Sequence, residues 1–264
     1  MLSPKQLTLI RPEQHVTLAH GSIRSGKTMS ELIAFADWIK NDAPPGPLAI
    51  IGITHDTINR NLLEQLDVLD PRICDWTIRG STCKIMGRTV HRISANDSKA
   101  ESKIRGLTLA GALVDEITLM QKAMFVQLLG RLSVPGAKLF GTTNPDNPAH
   151  WLKTDYIDRA DELGWNVQHF TMRDNPGLTP EYIEAKEREF TGLYYRRFIL
   201  GEWVAAEGAI YPMFDRDQHV VDFLDLPPTT MALGVGVDYG TTNASSAISL
   251  YLGDDNRLYL TDEW

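Results

Sequence analysis

Gly21-Ser22-Ile23-Arg24-Ser25-Gly26-Lys27-Thr28 matches the pattern GxxxxGK[ST], and its reading fixes what the neighbouring segments must be. Glycines at these places let backbone N–H groups approach phosphate oxygens at the start of a helix. The flanks agree: Val16 to His20 is a short β-prone run, and Met29 to Ile39 carries apolar residues at helical spacing. Strand, glycine loop and helix follow in the order a phosphate-binding loop needs. Gly21, Ser22, Ile23, Arg24, Ser25 and Gly26 would then wrap the phosphates, Lys27 would neutralise the β/γ charge, and Thr28 would ligate Mg2+. The bland alternative is a Gly/Ser turn that satisfies the pattern by chance, and the flanking strand and helix weigh against it.

Further along, Asn41-Asp42-Ala43-Pro44-Pro45-Gly46-Pro47 is a dense turn signal ahead of the buried-type strand Leu48 to Thr54. Thr82 to Met86 and Arg88 to Ile93 alternate in polarity on either side of Gly87 and predict a hairpin. Strands at Leu109 to Val114 and Lys138 to Gly141 bracket a helix around Lys122 to Leu129. Alternating elements of this kind predict an α/β fold, a mostly parallel sheet covered by helices, over residues 1–150. Beyond it, Thr179 to Phe190 and Leu193 to Leu200 read as polar helices, which makes 151–212 a small helical lid or linker subdomain. After Pro227-Pro228, Leu233 to Asp238 and Ala247 to Leu252 read as strands joined by a polar turn, within a third region, 213–264.

Leu109-Ala110-Gly111-Ala112-Leu113-Val114-Asp115-Glu116 is a hydrophobic strand ending in two carboxylates, at the sheet edge where open α/β folds bind ligands. With the phosphate loop upstream, Asp115 is the candidate to hold Mg2+ and Glu116 to polarise an attacking water, so hydrolysis is implied rather than binding alone. Alone, the pair would read as a solvated helix cap. Arg24, inside the loop, and Arg105, in Lys103-Ile104-Arg105-Gly106, are candidates to meet charge developing on the γ-phosphate, although most arginines are surface solubilisers. Gly141-Thr142-Thr143-Asn144-Pro145 fits either a plain turn or a γ-phosphate sensor.

Composition bounds the rest. The 264 residues are 43% hydrophobic, ordinary for a globular chain. No apolar stretch approaches the roughly 20 residues of a spanning helix, and the N-terminus lacks a secretory pattern, so no membrane partner and a cytoplasmic location are expected. Two cysteines, Cys74 and Cys83, form neither a disulfide framework nor a zinc knuckle. A net charge of −8 argues against coating nucleic acid by bulk attraction, while leaving room for a local basic surface.

Ser3-Pro4-Lys5-Gln6, the arginine-bearing loop, Arg105 to Glu116 and Thr142-Thr143-Asn144-Pro145, followed by Asp174-Asn175-Pro176, Tyr194-Tyr195-Arg196-Arg197 and Gly201-Glu202-Trp203, together resemble the large subunits of tailed-phage terminases. The resemblance implies an ATP-hydrolysing motor that pumps viral double-stranded DNA into a procapsid in the bacterial host's cytoplasm. It also implies a ring of copies on a portal and a terminase small subunit as partners. In it Gln6 contacts adenine, Arg24 acts in cis, Arg105 is the trans-acting arginine finger, and Thr142, Thr143 and Asn144 form the coupling motif. Arg196 and Arg197 fall to transmission from the lid, to DNA-backbone contacts, or to a plain surface pair. Val235-Gly236-Val237-Asp238-Tyr239-Gly240 is similar to the first strand of an RNase H-like nuclease, with Asp238 as first ligand of Mg2+ or Mn2+. Such a nuclease needs carboxylates from several strands, so this polypeptide is expected to cut DNA poorly.

Three alternatives stay open: another DNA-remodelling ATPase of the same core, a non-hydrolysing assembly module left by a prophage, and an actin-like phosphate loop at Asp238-Tyr239-Gly240-Thr241-Thr242-Asn243, which arrives late and single.

Overall fold

The computed structural model describes residues 2–96, 104–205, 219–222, 225–239 and 245–263. Its strands run β1 (Val16–Gly21), β2 (Leu48–Gly52), β3 (Cys74–Asp75), β4 (Thr82–Ile85), β5 (Arg88–Ser94), β6 (Gly111–Val114), β7 (Lys138–Thr143) and β8 (Asn166–Phe170). They form one eight-stranded sheet in the order β3-β4-β5-β2-β6-β7-β1-β8. Neighbours from β5 through β8 are parallel, and β4 and β3 extend that edge as antiparallel strands. β2 and β6 are buried at every residue, as strands covered on both faces must be.

Alternation along these strands separates two cores. Leu48, Ile50, Leu113 and Phe140 face α2 (Lys27–Asn41), which brings Leu32, Phe35, Trp38 and Ile39, and the helical stretch that supplies Leu62 and Leu66. Ala49, Ile51, Ala112, Val114 and Leu139 face the opposite way, onto Met124, Phe125 and Leu128 of the Lys122–Arg131 helix. Each face therefore loses its apolar side chains from water, at about 25 cal/mol per Å2. The free thiols of Cys74 and Cys83 are buried at the antiparallel edge.

A small helical subdomain was expected over 151–212, and the described residues of that span, 151–205, depart from it. Pro180–Glu189 is a helix, but Asn166–Phe170 is β8, hydrogen-bonded to β1 as the sheet's edge strand. Only Phe170 of its five residues is buried, so the segment carries no apolar signal to mark it as a strand. A break at 150 would cut this sheet.

The chain divides into two compact units, Met1–Ala209 and Ile210–Trp264. In the second, β9 (Thr229–Asp238), β10 (Ser246–Gly253) and β11 (Leu258–Glu263) form an antiparallel sheet with β10 central. Gly240 to Asn243 of the candidate actin-like loop lie outside the described residues, as do Lys103 and the boundary at 212. Among the described residues no helix is long and apolar enough to cross a membrane.

Candidate active site

The phosphate loop joins the end of β1 to the start of α2. Gly26 is the N-cap of α2 at φ +84°, and a Cβ there would fall 2.4 Å from Gln6 Nε2. Gln6 is itself buried in a short helix, α1 (Pro4–Leu7), where Ser3 and Gln6 form a capping box. Arg24 takes a left-handed conformation (φ 56°) with its side chain exposed, and its carbonyl accepts from Asn175 Nδ2 at 2.8 Å. Two loop amides are held from outside: Ser22 N–H by the Phe170 carbonyl (2.8 Å) and Ile23 N–H by the Phe198 carbonyl (3.1 Å). Gly201 leans on the same place, at φ +70°, where a Cβ would stand 2.4 Å from Ser22 N.

Lys27 is buried, and its Nζ donates to Ser22 O (2.6 Å), Gly21 O (3.2 Å), Ser25 Oγ (3.3 Å) and Asn144 Oδ1 (3.1 Å). Burial lowers its pKa to about 8, opposed by Glu116 and Asp115. Asp115 follows β6, and its Oδ1 receives the Thr142 hydroxyl at 2.6 Å and the Thr28 hydroxyl at 3.4 Å. Glu116 sits in the left-handed region (φ 56°, ψ 57°), an uncommon state for a residue with a Cβ. Its two oxygens receive Asn144 Nδ2 (2.7 Å) and Asn144 N–H (3.3 Å). Burial, and then the Asp115 charge, push its carboxyl above the usual range, with Lys27 and the Asn144 amide opposing. Asn144 thus joins Lys27 to Glu116 through one amide group. Thr143 is buried beside it, its hydroxyl 2.8 Å from that of Thr118.

The structure brings Lys27, Thr28, Asp115, Glu116, Thr142 and Asn144 together at one end of the sheet, beside a cleft of about 410 Å3. Arg105 is exposed and does not line that cleft. Arg197 does line it, with its guanidinium on Pro145 O and Asp146 Oδ1, both at 2.8 Å. Asp238 ends β9 in the second unit and is exposed. Sequence reasoning missed Thr57 and Asn61, which line the cleft, and Asn61 Nδ2 is 3.4 Å from Asp115 Oδ2. No motif marks them.

The oxygen donors suit Mg2+ arriving with a nucleotide. Thr28 Oγ1 and Asp115 Oδ1 are hard oxygen ligands side by side. Among the described residues no group of three His, Cys, Asp or Glu could hold a metal.

Behind the loop, Trp203 Nε1 donates to His20 Nδ1 at 3.3 Å, and burial, followed by His169 and Lys27, depresses the His20 pKa to about 3. The Gly201-Glu202-Trp203 segment therefore braces the last strand residues before the loop.

The profile of the family described as "Terminase large subunit, T4likevirus-type, N-terminal" matches residues 18–218. The large terminase of a thermophilic bacteriophage is 33% identical, with a TM-score of 0.72 over 99% of this chain and 69% of that one. The same phage protein in complex with ADP gives 32% and 0.71 over the same shares. The large subunit of the Escherichia phage T5 terminase is 28% identical over 151 residues, 54% of this chain and 34% of that protein, so the match spans about a third of its length. The large terminase of bacteriophage HK97, at 13% identity and a TM-score of 0.60, shares the fold. With three quarters of its length under that profile, the chain belongs to the terminase large subunit family, T4likevirus type, in its N-terminal domain.

Proposed function

We propose that the chain is the ATP-hydrolysing motor of a terminase, driving viral double-stranded DNA into a procapsid in the host cytoplasm. The observation that carries this reading is the Asn144 amide, bonded to Lys27 on one side and Glu116 on the other, beside Asp115 and Thr28. The large terminase of the thermophilic phage, in complexes with ADP and with ATP-γ-S, supports the choice of nucleotide.

In this reading Gln6 meets adenine, and the loop from Gly21 to Gly26 wraps the phosphates. Lys27 leaves the loop carbonyls for β/γ oxygens. Thr28 and Asp115 hold Mg2+, which when bound neutralises phosphate charge. Glu116, its basicity raised by burial, accepts a proton from the attacking water. While Asn144 holds both Glu116 oxygens the base is engaged elsewhere, and a γ-phosphate that draws Lys27 off Asn144 Oδ1 would loosen that grip. Thr142, Thr143 and Asn144 would so couple nucleotide state to the Pro145–Asp146 turn that Arg197 holds. Arg24 serves in cis and Arg105 reaches a neighbouring copy in a ring on the portal, with the small subunit as a further partner. Asp238, at the end of β9, is the candidate first ligand of Mg2+ or Mn2+ for an RNase H-like nuclease.

The test is ATP turnover with Mg2+, alone and with procapsids and DNA. Glu116→Ala should abolish it, and mixing inactive Arg105→Ala with Glu116→Ala subunits should restore part of it. No hydrolysis under any condition would leave a non-hydrolysing assembly module instead.

A further inference from the structure

Asp115 has two oxygens, and the family motifs account for the surroundings of one. Thr142 and Thr28 donate to Oδ1, whereas Oδ2 faces the Asn61 amide at 3.4 Å. Asn61 comes from the Asn59–Leu63 stretch, a π-helical turn of the kind that often lies at functional sites. The turn is pinned on both sides of it. Asn59 Oδ1 accepts from buried Arg92 at 3.1 Å and Asn59 Nδ2 donates to Ile78 O at 3.3 Å, while Leu62 and Leu63 are buried in the core under α2. Upstream, Thr54 and Thr57 form a capping box that fixes the start of the same helical stretch, so Thr57 and Asn61 face the cleft from a rigid wall.

The residue type is informative. A lysine or arginine here would neutralise Asp115 and repel a divalent cation, and a carboxylate would repel Asp115 itself. An amide donates a hydrogen bond and leaves the charge unchanged. We propose that Asn61 is a positioning residue that sets the orientation of Asp115 for Mg2+. This rests on the ATP-hydrolysing reading of the same site. Such outer contacts commonly change metal affinity or activity by about 10–100-fold when removed.

The experiment uses the full chain with Asn61→Ala and Asn61→Asp, each first checked for an unchanged melting curve. Fluorescent ADP is titrated in EDTA and then across Mg2+ concentrations, and ATP turnover is followed at saturating Mg2+. Both variants should bind ADP in EDTA within about twofold of the parent, which a general distortion of the loop would not allow. The Mg2+ needed for half-maximal tightening should rise about 10-fold in Asn61→Ala, and kcat should fall more than KM changes. An active parent whose Mg2+ dependence is the same in Asn61→Ala overturns this proposal alone, as does an equal loss of affinity in EDTA. A parent that hydrolyses nothing either alone or with procapsids and DNA, indistinguishable from Glu116→Gln, overturns the hydrolysis reading and this proposal with it.

Discussion

An ammonium ion moved out of water gives up its proton more easily, and Lys27 is buried with its pKa lowered to about 8. Phosphate oxygens favour the charged form, so the bound lysine titrates higher than the free one. Affinity for ADP should be level below about pH 8 and weaken by up to about tenfold per pH unit above it. A dissociation constant that stays flat from pH 7 to 9.5 would sink this assignment. Glu31, one turn further along α2, is fully buried, and neither of its oxygens has a hydrogen-bond partner among the described residues. Burial pushes its carboxyl well above the usual range. Because the folded value is raised, the stability tied to the protonated form is complete below the ordinary carboxylate pKa and is lost as pH rises through the folded one. Glu31→Gln removes that titration. Its melting temperature relative to the parent should therefore climb between pH 5 and pH 8, and a difference independent of pH would count against a buried acid. That Lys27, Thr28, Asp115 and Glu116 come together was legible from the glycine-loop pattern and from an apolar strand ending in two carboxylates. Asn61 was not, since its partner is 54 residues away and an asparagine in a polar stretch has no pattern of its own.

Gly201 and Gly192 separate two effects at the level of the segments they join. Both hold positive φ, but a Cβ on Gly192 meets nothing within 4 Å, whereas one on Gly201 strikes Ser22 N at 2.4 Å. Gly192→Ala should cost about 1–2 kcal/mol from backbone conformation. Gly201→Ala should cost more and also weaken ADP binding, because the loop amide must move. Equal nucleotide affinities in the two variants would detach the 201–203 segment from the loop. The elements themselves divide by burial. β2 and β6 announce themselves as apolar runs. β8 stays hidden because an edge strand with one buried residue looks like a polar loop, and its place beside β1 follows from long-range pairing.

The whole molecule separates into Met1–Ala209, which holds every residue of the candidate site except Asp238, and Ile210–Trp264. A chain ending at 205 should melt cooperatively and keep the parent's stabilisation by ADP, as an independently cored unit does. Calorimetry with and without ADP checks it, and loss of the cooperative transition would mean that the first unit cannot stand alone. Its sheet was legible because glycine loop, turn signals and apolar runs recur in βα order. The expected break at 150 ignored the return of the chain to the sheet, and the expected boundary at 212 falls outside the described residues.

Trp203 ends its indole N–H on His20, one residue before the loop begins. An indole so placed is an optical probe the protein already carries. Any nucleotide that shifts the strand end changes the polarity around this fluorophore, and subtracting the emission of Trp203→Phe isolates its signal from the other five tryptophans. The loop between β1 and α2 can then be watched in real time, in millisecond mixing, without a dye attached.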